Sequence, residues 1–470
     1  MDSFTASTTA ANVAFTAPQP IDAMAEFFIH LGELANVNTN QILIVSGRIQ
    51  PQLLEQSVQR AVRQIPLLRT RPKGQQLYEV NTGSYQWVHC LEYVGACDFN
   101  DHDFRQLLMD FSSTHRLQWC DRPPLQVLLV NGGNGHNSCV YLSSHHGVAD
   151  ARSDCLLLRA IIDHYAHISG VPGAVATNQP LPFTPLPEIR PDWFRPLKRG
   201  YRWLQAFASV GLDLMRNDSG MPVKLRGQRW ETDDNNREIG HLDFFQSLMP
   251  RALEERLAST AKTNGVTINT LLCTALARLM ETSGRHKSGY LRMTCAVSLR
   301  RLIDQRYDHS FRNYLIPIGI RLRTGQSTPA LIESMHSAMA EARSNDRVST
   351  ELARLETLLP ILRLRPLHGL ARRLLNRALG TNACYSNPGR IEEDFSSFGS
   401  DEHQTQSYVG FGCLVPPYDF ILYTPTVNGR MQLDLVYRRS AFADIHAEFA
   451  APFLGELRKL LDELSPTHRS

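Results

Sequence analysis

Apolar and polar positions alternate between two periods along most of the chain. Gln41–Val45 reads QILIV, a short apolar run of the length expected of a buried strand. Residues 51–64 then place Leu53, Leu54, Val58, Ala61 and Val62 at the spacing of one helix face. Leu125–Val130 (LQVLLV) and Ser138–Leu142 (SCVYL) are further strand candidates, separated by the turn-rich NGGNGHN. A helix over 152–167 follows, with Cys155, Leu158, Ile161, Ile162 and Tyr165 on one face. The second half repeats the mixture. Thr267–Met280 reads as a helix, Tyr314–Leu322 and Met431–Tyr437 as alternating strands, and 443–463 as a closing helix. Strand and helix signals that alternate over the whole length predict an α/β protein.

Two kinds of segment interrupt this pattern. Residues 168–192 hold six prolines and two glycines with little periodicity. A loop this long is unusual inside one compact domain, so it is read as the connection between two units. The expected layout is a loose Ser/Thr/Ala-rich tail over 1–17, a first lobe over 18–180 and a second over 181–470; the length of 470 residues suits two large domains. From Arg190 to Arg229 there are nine Lys/Arg against three Asp, with Phe194, Leu197, Tyr201, Leu204 and Ala208 on one helical face. That predicts an amphipathic helix packed through its apolar side. Otherwise it is a docking face for an acidic carrier protein, CoA phosphates or an anionic membrane. Arg354–Arg377 poses the same choice.

Composition narrows the classes. At 43% hydrophobic residues the chain can bury a sizeable core. Lys plus Arg number 49 and Asp plus Glu 46, too balanced for a dedicated nucleic-acid binder. The nine cysteines form no CxxC pair, which points to free thiols in a reducing, cytoplasmic setting rather than a disulfide framework or a zinc site. No run approaches the roughly 18–20 apolar residues of a membrane span. The first residues lack the basic and apolar regions of a secretory signal.

The chemistry concentrates in Ser143-Ser144-His145-His146-Gly147-Val148-Ala149-Asp150-Ala151-Arg152-Ser153, between an apolar strand and an apolar helix. An unperturbed imidazole, with a pKa of about 6.5, suits general-base work near neutrality. Consecutive residues on extended backbone point to opposite sides, so one histidine of the pair can face a cleft while the other packs inward. Structural readings stand beside this one. Asp150 could be the N-cap of the helix, and both histidines could be hydrogen-bonded core residues. His146 and Asp150 lack a third neighbour for a metal. No GxSxG elbow, P-loop or GxGxxG precedes a helix.

HHGVADARS resembles the HHxxxDG motif of the chloramphenicol acetyltransferase-like superfamily, and Ser153 fits the HHxxxDGxS form of condensation domains. Further segments extend the resemblance. Ile65–Arg71 (IPLLRTR) is similar to a stretch near the start of these enzymes, and Pro123-Pro124-Leu125 precedes a strand as it does in them. Gly265–Leu279, Val297–Arg301, Phe311-Arg312-Asn313-Tyr314 and Tyr385–Arg390 resemble further family segments in the family's order. The resemblance covers roughly residues 18–465 and is closest to free-standing condensation-domain or polyketide-associated acyltransferase proteins. Ala151 departs from the usual Gly, and no counterpart of the plant-type DFGWG stretch is present.

The resemblance implies two chloramphenicol acetyltransferase-like lobes, each a mixed sheet with flanking helices, in a V-shaped arrangement with the histidine loop where they meet. It implies an acyl or condensation transfer from a CoA or carrier-protein thioester to an alcohol or amine, with no tightly bound cofactor and no metal. The site would comprise His146 as base with His145 and Asp150, supported by Arg300, Gly147, Ser153 and Asn387. Within it, Arg300 would pair with Asp150, and the Gly147 N–H would be an oxyanion donor. An acyl or peptidyl carrier protein would dock in trans, with peripheral membrane contact left open. A non-catalytic carrier or acyl-ligand binder, and thioester hydrolysis, cyclisation or dehydration on the same fold, remain alternatives.

Overall fold

The computed structural model describes residues 18–133, 135–175, 180–194, 199–206, 208, 242–283, 289–379, 383–415 and 417–465. The expected tail over 1–17 and most of the basic segment between 207 and 229 lie outside them.

The first lobe contains helices α1 (Ala23–Leu31), α2 (Pro51–Gln64), α3 (His102–Thr114) and α4 (Ala151–Ile168). Strands β1 (Gln19–Pro20), β3 (Thr70–Lys73) and β4 (Gln76–Glu79) form a small side sheet. The main sheet uses β2 (Asn38–Ser46), β5 (Val88–Tyr93), β6 (Leu125–Gly132) and β7 (Asn137–His145). β2, β6 and β7 are buried along nearly their whole length because both faces are covered, whereas β5 is a largely exposed edge. Leu43, Val140 and Leu142 pack with Val58, Leu158 and Ile161 of α2 and α4. Ile42, Ile44 and Tyr141 face the other way, into a core that also holds Ile316, Ile318, Ile421 and Val436 of the second lobe.

The second lobe contains helices α5 (Arg251–Thr263), α6 (Ile268–Ser283), α7 (Thr328–Ala342), α8 (Asn345–Leu362), α9 (His368–Leu379) and α10 (Ala451–Glu463). Its sheet contains β8 (Leu242–Leu248), β9 (Tyr290–Ser298), β10 (Leu315–Arg323), β11 (Ala383–Ser386), β13 (Phe420–Tyr423), β14 (Thr426–Val427) and β15 (Arg430–Arg438). One face packs on α6, α7 and α10 through residues such as Leu272, Met335 and Leu457.

β12 (Thr405–Phe411) departs from the expected layout. It pairs antiparallel with β2, so a strand from the second half completes the first sheet in the order β12-β2-β7-β6-β5. A boundary at 180/181 therefore does not separate the two sheets. The Pro-rich connection also ties the halves: the Phe311 N–H donates to the Pro182 carbonyl, and the Leu181 N–H donates to that of Gln64.

The basic segment is phased differently from the expectation. In the helical turn at 199–206, Tyr201 and Leu204 are exposed while Arg202 is buried and donates to the Trp193 carbonyl. Arg199 and the Trp203 indole both reach Glu356 on α8, so the polar side is the one that docks. In the other basic stretch, Arg363 and Arg365 pair with Glu26 and Glu33 of the first lobe. No helix among the described residues is long and apolar enough to cross a membrane.

Candidate functional site

The site is built where β7 hands over to α4. β7 ends at His145, Asp150 is the N-cap of α4, and the connecting residues are buried. His145 closes the strand and His146 opens the turn, and the two imidazoles lie in different surroundings. The His145 ring packs near Trp119, with centroids 5.9 Å apart, and its Nδ1 accepts the Gly147 N–H at 2.9 Å. Burial, together with the neighbouring His146, pushes its pKa down to about 3. His145 is therefore a neutral internal brace, and its side chain does not line either interlobe cavity. Its expected place in the catalytic group is corrected accordingly.

His146 faces a cavity of about 140 Å³ between the lobes. Its Nδ1 lies 2.8 Å from the Ala149 carbonyl oxygen. A carbonyl only accepts, so Nδ1 holds the proton and Nε2 presents a lone pair. Nε2 makes no hydrogen bond among the described residues. Burial lowers the imidazole's pKa, partly offset by the Ala149 carbonyl and the Asp150 charge, so the ring is a neutral base near pH 7. The Phe28 ring lies 4.3 Å from it, and its own backbone is held from both sides: its N–H donates to Val37, and Asn313 Nδ2 donates to its carbonyl at 2.7 Å.

Asp150 combines two roles that the sequence left as alternatives. One carboxylate oxygen accepts the Ser153 N–H at 2.9 Å and caps α4, and the other accepts the Tyr314 N–H at 3.1 Å. Arg300 donates to both oxygens, at 3.1 and 3.3 Å, with both side chains nearly inaccessible. Burial alone would raise the carboxyl's pKa, but the Arg300 charge and these donors outweigh it and hold the group ionised. The remaining Arg300 N–H groups reach the carbonyls of Asp308, Ser310 and Arg312. Ser153 Oγ sits inside this knot, accepting from Arg300 and from the Arg312 N–H and donating to the Arg312 carbonyl.

Other expected positions resolve as follows. The Gly147 N–H is engaged by His145, so the expected oxyanion donor is not available there. A Cβ at Gly147 would stand 2.9 Å from His145 Nδ1, which explains the glycine sterically. Ala151 takes the first helical position of α4 without a positive φ, so the methyl in place of hydrogen causes no backbone strain. Asn387 does not touch His146. It donates to Asn269 at 2.6 Å and lines a second cavity of about 330 Å³. Ala151, Cys155, Ala296, Leu315, Ser386 and Pro388 line both cavities, which therefore meet beside the histidine loop.

Three residues had gone unassigned by the sequence. Asn313 and Phe28 position His146 from opposite lobes, and neither has a local spacing signal. Asp154 lies one helical turn beyond Asp150 and lines the first cavity, where burial pushes its pKa up to about 7 despite the 2.5 Å bond from Ser144. Among the described residues no group of three or more His, Cys, Asp or Glu could hold a metal ion.

No protein-family model matches the chain, and no curated protein matches it in sequence. Solved structures do match. The first condensation domain of the CDA synthetase superposes with a TM-score of 0.67 at 15% identity, covering 97% of this chain and 98% of that one. The epimerization domain from the third module of tyrocidine synthetase B gives 0.63 at 12%, covering 97% and 99%. The X-domain from teicoplanin biosynthesis gives 0.60 at 15%, covering 98% of each chain. The likeness is one of fold: two chloramphenicol acetyltransferase-like lobes, each a mixed sheet with flanking helices.

Proposed function

We propose that this protein is an acyltransferase that moves an acyl group from a CoA or carrier-protein thioester to an alcohol or amine, with His146 as general base. The observation that supports this reading is the orientation of that ring. Nδ1 is pinned to a carbonyl, which leaves Nε2 bare on a ring that lines a cavity shared by two lobes.

In the proposed reaction the acceptor O–H or N–H gives its proton to Nε2 as its heteroatom attacks the thioester carbonyl. The tetrahedral intermediate then expels the thiolate, which recovers the proton from the imidazolium. A new C–O or C–N bond forms, the C–S bond breaks, and the histidine ends neutral. A positioned base contributes about 10²–10⁴-fold, and holding both reactants in one channel lowers the entropic barrier further. Asp150 and Arg300 hold the loop and take no part in the proton transfer. No acyl-enzyme is needed.

The test is thiol release from acyl-CoA and acyl-carrier donors in the presence of a panel of alcohols and amines. Wild type should form ester or amide, and His146→Ala should lose about 10²–10⁴-fold while keeping its unfolding midpoint. Full turnover in the Ala variant would remove the base, and a wild type that binds donors without turnover would leave a binding protein.

A further inference from the structure

The cavity beside His146 is walled mainly by apolar side chains such as Phe27, Leu31, Leu355 and Leu358. Polar groups interrupt that wall in two places. On the second lobe, Glu351 pairs with Arg347 and Arg354, and Arg292 is engaged as well. On the first lobe, Thr39 and Gln41 of β2, Asp154 of α4 and Tyr408 of β12 share one corner. There the Tyr408 hydroxyl donates to Gln41 Oε1. Ser144 donates to Asp154 Oδ1 at 2.5 Å, and the Ser144 and Thr39 hydroxyls lie 2.8 Å apart. Two atoms are left over. Asp154 Oδ2 has no hydrogen-bond partner, although the residue is only 1% exposed. The Gln41 amide nitrogen, at the other end of the carboxamide from Tyr408, donates to nothing among the described residues. Burial raises the Asp154 pKa, and Ser144, Thr39 and Gln41 nearby offset this only in part; neither Thr39 nor Gln41 closes a bond to Oδ2. Gly410, which also lines the cavity, keeps the corner open. A Cβ there would stand 2.6 Å from Gln41 Oε1 and 2.9 Å from the Tyr408 hydroxyl.

We propose that this corner is a specificity site for a hydroxyl group on the substrate chain that occupies the apolar cavity, received between Asp154 Oδ2 and the Gln41 amide. This rests on the acyl-transfer reading above in treating that chain as substrate. A buried polar atom without a partner is costly, and a plain alkyl chain packed against Oδ2 would leave that cost in place. A hydroxyl removes it in either protonation state of the carboxyl. It accepts from Oδ2–H when Asp154 is neutral and donates to Oδ2 when it is ionised, and in both cases its oxygen accepts from the Gln41 N–H. A site built in this way selects strongly against the analogue that lacks the hydroxyl. Asp154 and Gln41 act here in recognition and take no part in the proton transfer at His146.

Calorimetric titration with two matched series tests this: octanoyl-CoA against its monohydroxylated forms, and 1-octanol against the octanediols. Wild type should bind at least one hydroxylated member about tenfold or more tighter than the unsubstituted parent. The series that shows the preference tells whether the hydroxyl is carried by the acyl donor or by the acceptor. Asp154→Leu should abolish the preference. Asp154→Asn keeps an oxygen for Ser144 and places an N–H donor where Oδ2 stood, so it should retain most of it, a rescue that a merely structural role would not produce. Gln41→Met, on a different element, should lose part of the preference and carries the test should Asp154→Leu fold poorly. Equal binding of every member by wild type, or a preference that survives in both Asp154→Leu and Gln41→Met, would overturn the proposal and leave the corner as a place for a bound water. His146→Ala should keep the hydroxyl preference in binding, so a failure of acyl transfer and a failure of this site are read separately.

Discussion

The two ends of the loop between β7 and α4 are treated in opposite ways. At Asp150 every available interaction is taken: a helix cap, a bidentate arginine, a backbone N–H from the facing lobe and the Ser153 hydroxyl nearby. At His146, four residues earlier, the backbone and Nδ1 are fixed while Nε2 is left unpartnered on a ring that lines the cavity. Saturation at one end holds the loop, and the single unsatisfied atom at the other is where chemistry can occur. Residues of the first kind should move stability and activity together, and those of the second should move activity alone.

The sharpest way to break that contrast is at the saturated end. Asp150→Asn leaves Arg300 buried without its counter-charge, and denaturant unfolding should report a loss of about 3–5 kcal/mol with activity falling in parallel. Unchanged stability would contradict the assignment. A smaller effect is expected at Asn313→Ala, which removes the donor to the His146 carbonyl. Stability should fall by about 1–3 kcal/mol, with kcat affected more than KM because ring position rather than substrate binding is disturbed. An effect confined to KM would place Asn313 on the substrate instead.

The third effect belongs to Asp154 and is read as a pH dependence, and its sign follows from burial. Its folded pKa is raised to about 7, against an ordinary carboxylate near about 3.9. Between those values the unfolded chain releases a proton that the folded chain keeps, so this group's contribution to stability falls as pH rises from about 4 to about 7. Asp154→Asn lacks that slope. Its stability relative to wild type should climb across this window and level off above it, as followed by thermal unfolding at a series of pH values. A difference that stays flat would show Asp154 to be ionised within the fold.

The sequence carried the strands and helices well where apolar runs were local. Helix 51–64 has the bounds of α2, and the 152–167 helix lies within α4. β12 escaped notice because TQSYVGF mixes polar and apolar residues on both faces and carries a glycine, and its partner β2 is over 350 residues away. The basic helix had the right period and the wrong phase. Spacing cannot say which face docks when Glu356 waits for Arg199 and Trp203 on one side. The split between the histidines was expected from extended-chain alternation, but it arises because β7 ends at His145 and His146 opens the turn; the resemblance supplied which of them would face the cavity and the Asp150–Arg300 pairing. The Gly147 donor failed because a neighbouring ring nitrogen, invisible in a motif, captures its N–H first.

The central claim is that Nε2 of His146 is a bare lone pair, and nitrogen-15 NMR of the histidine side chains reads it directly. At pH 7 the His146 signals should show a protonated Nδ1 and an unprotonated Nε2, assigned by comparison with His146→Gln. A protonated Nε2 would leave no base on the cavity wall and would contradict the proposed mechanism at its first step.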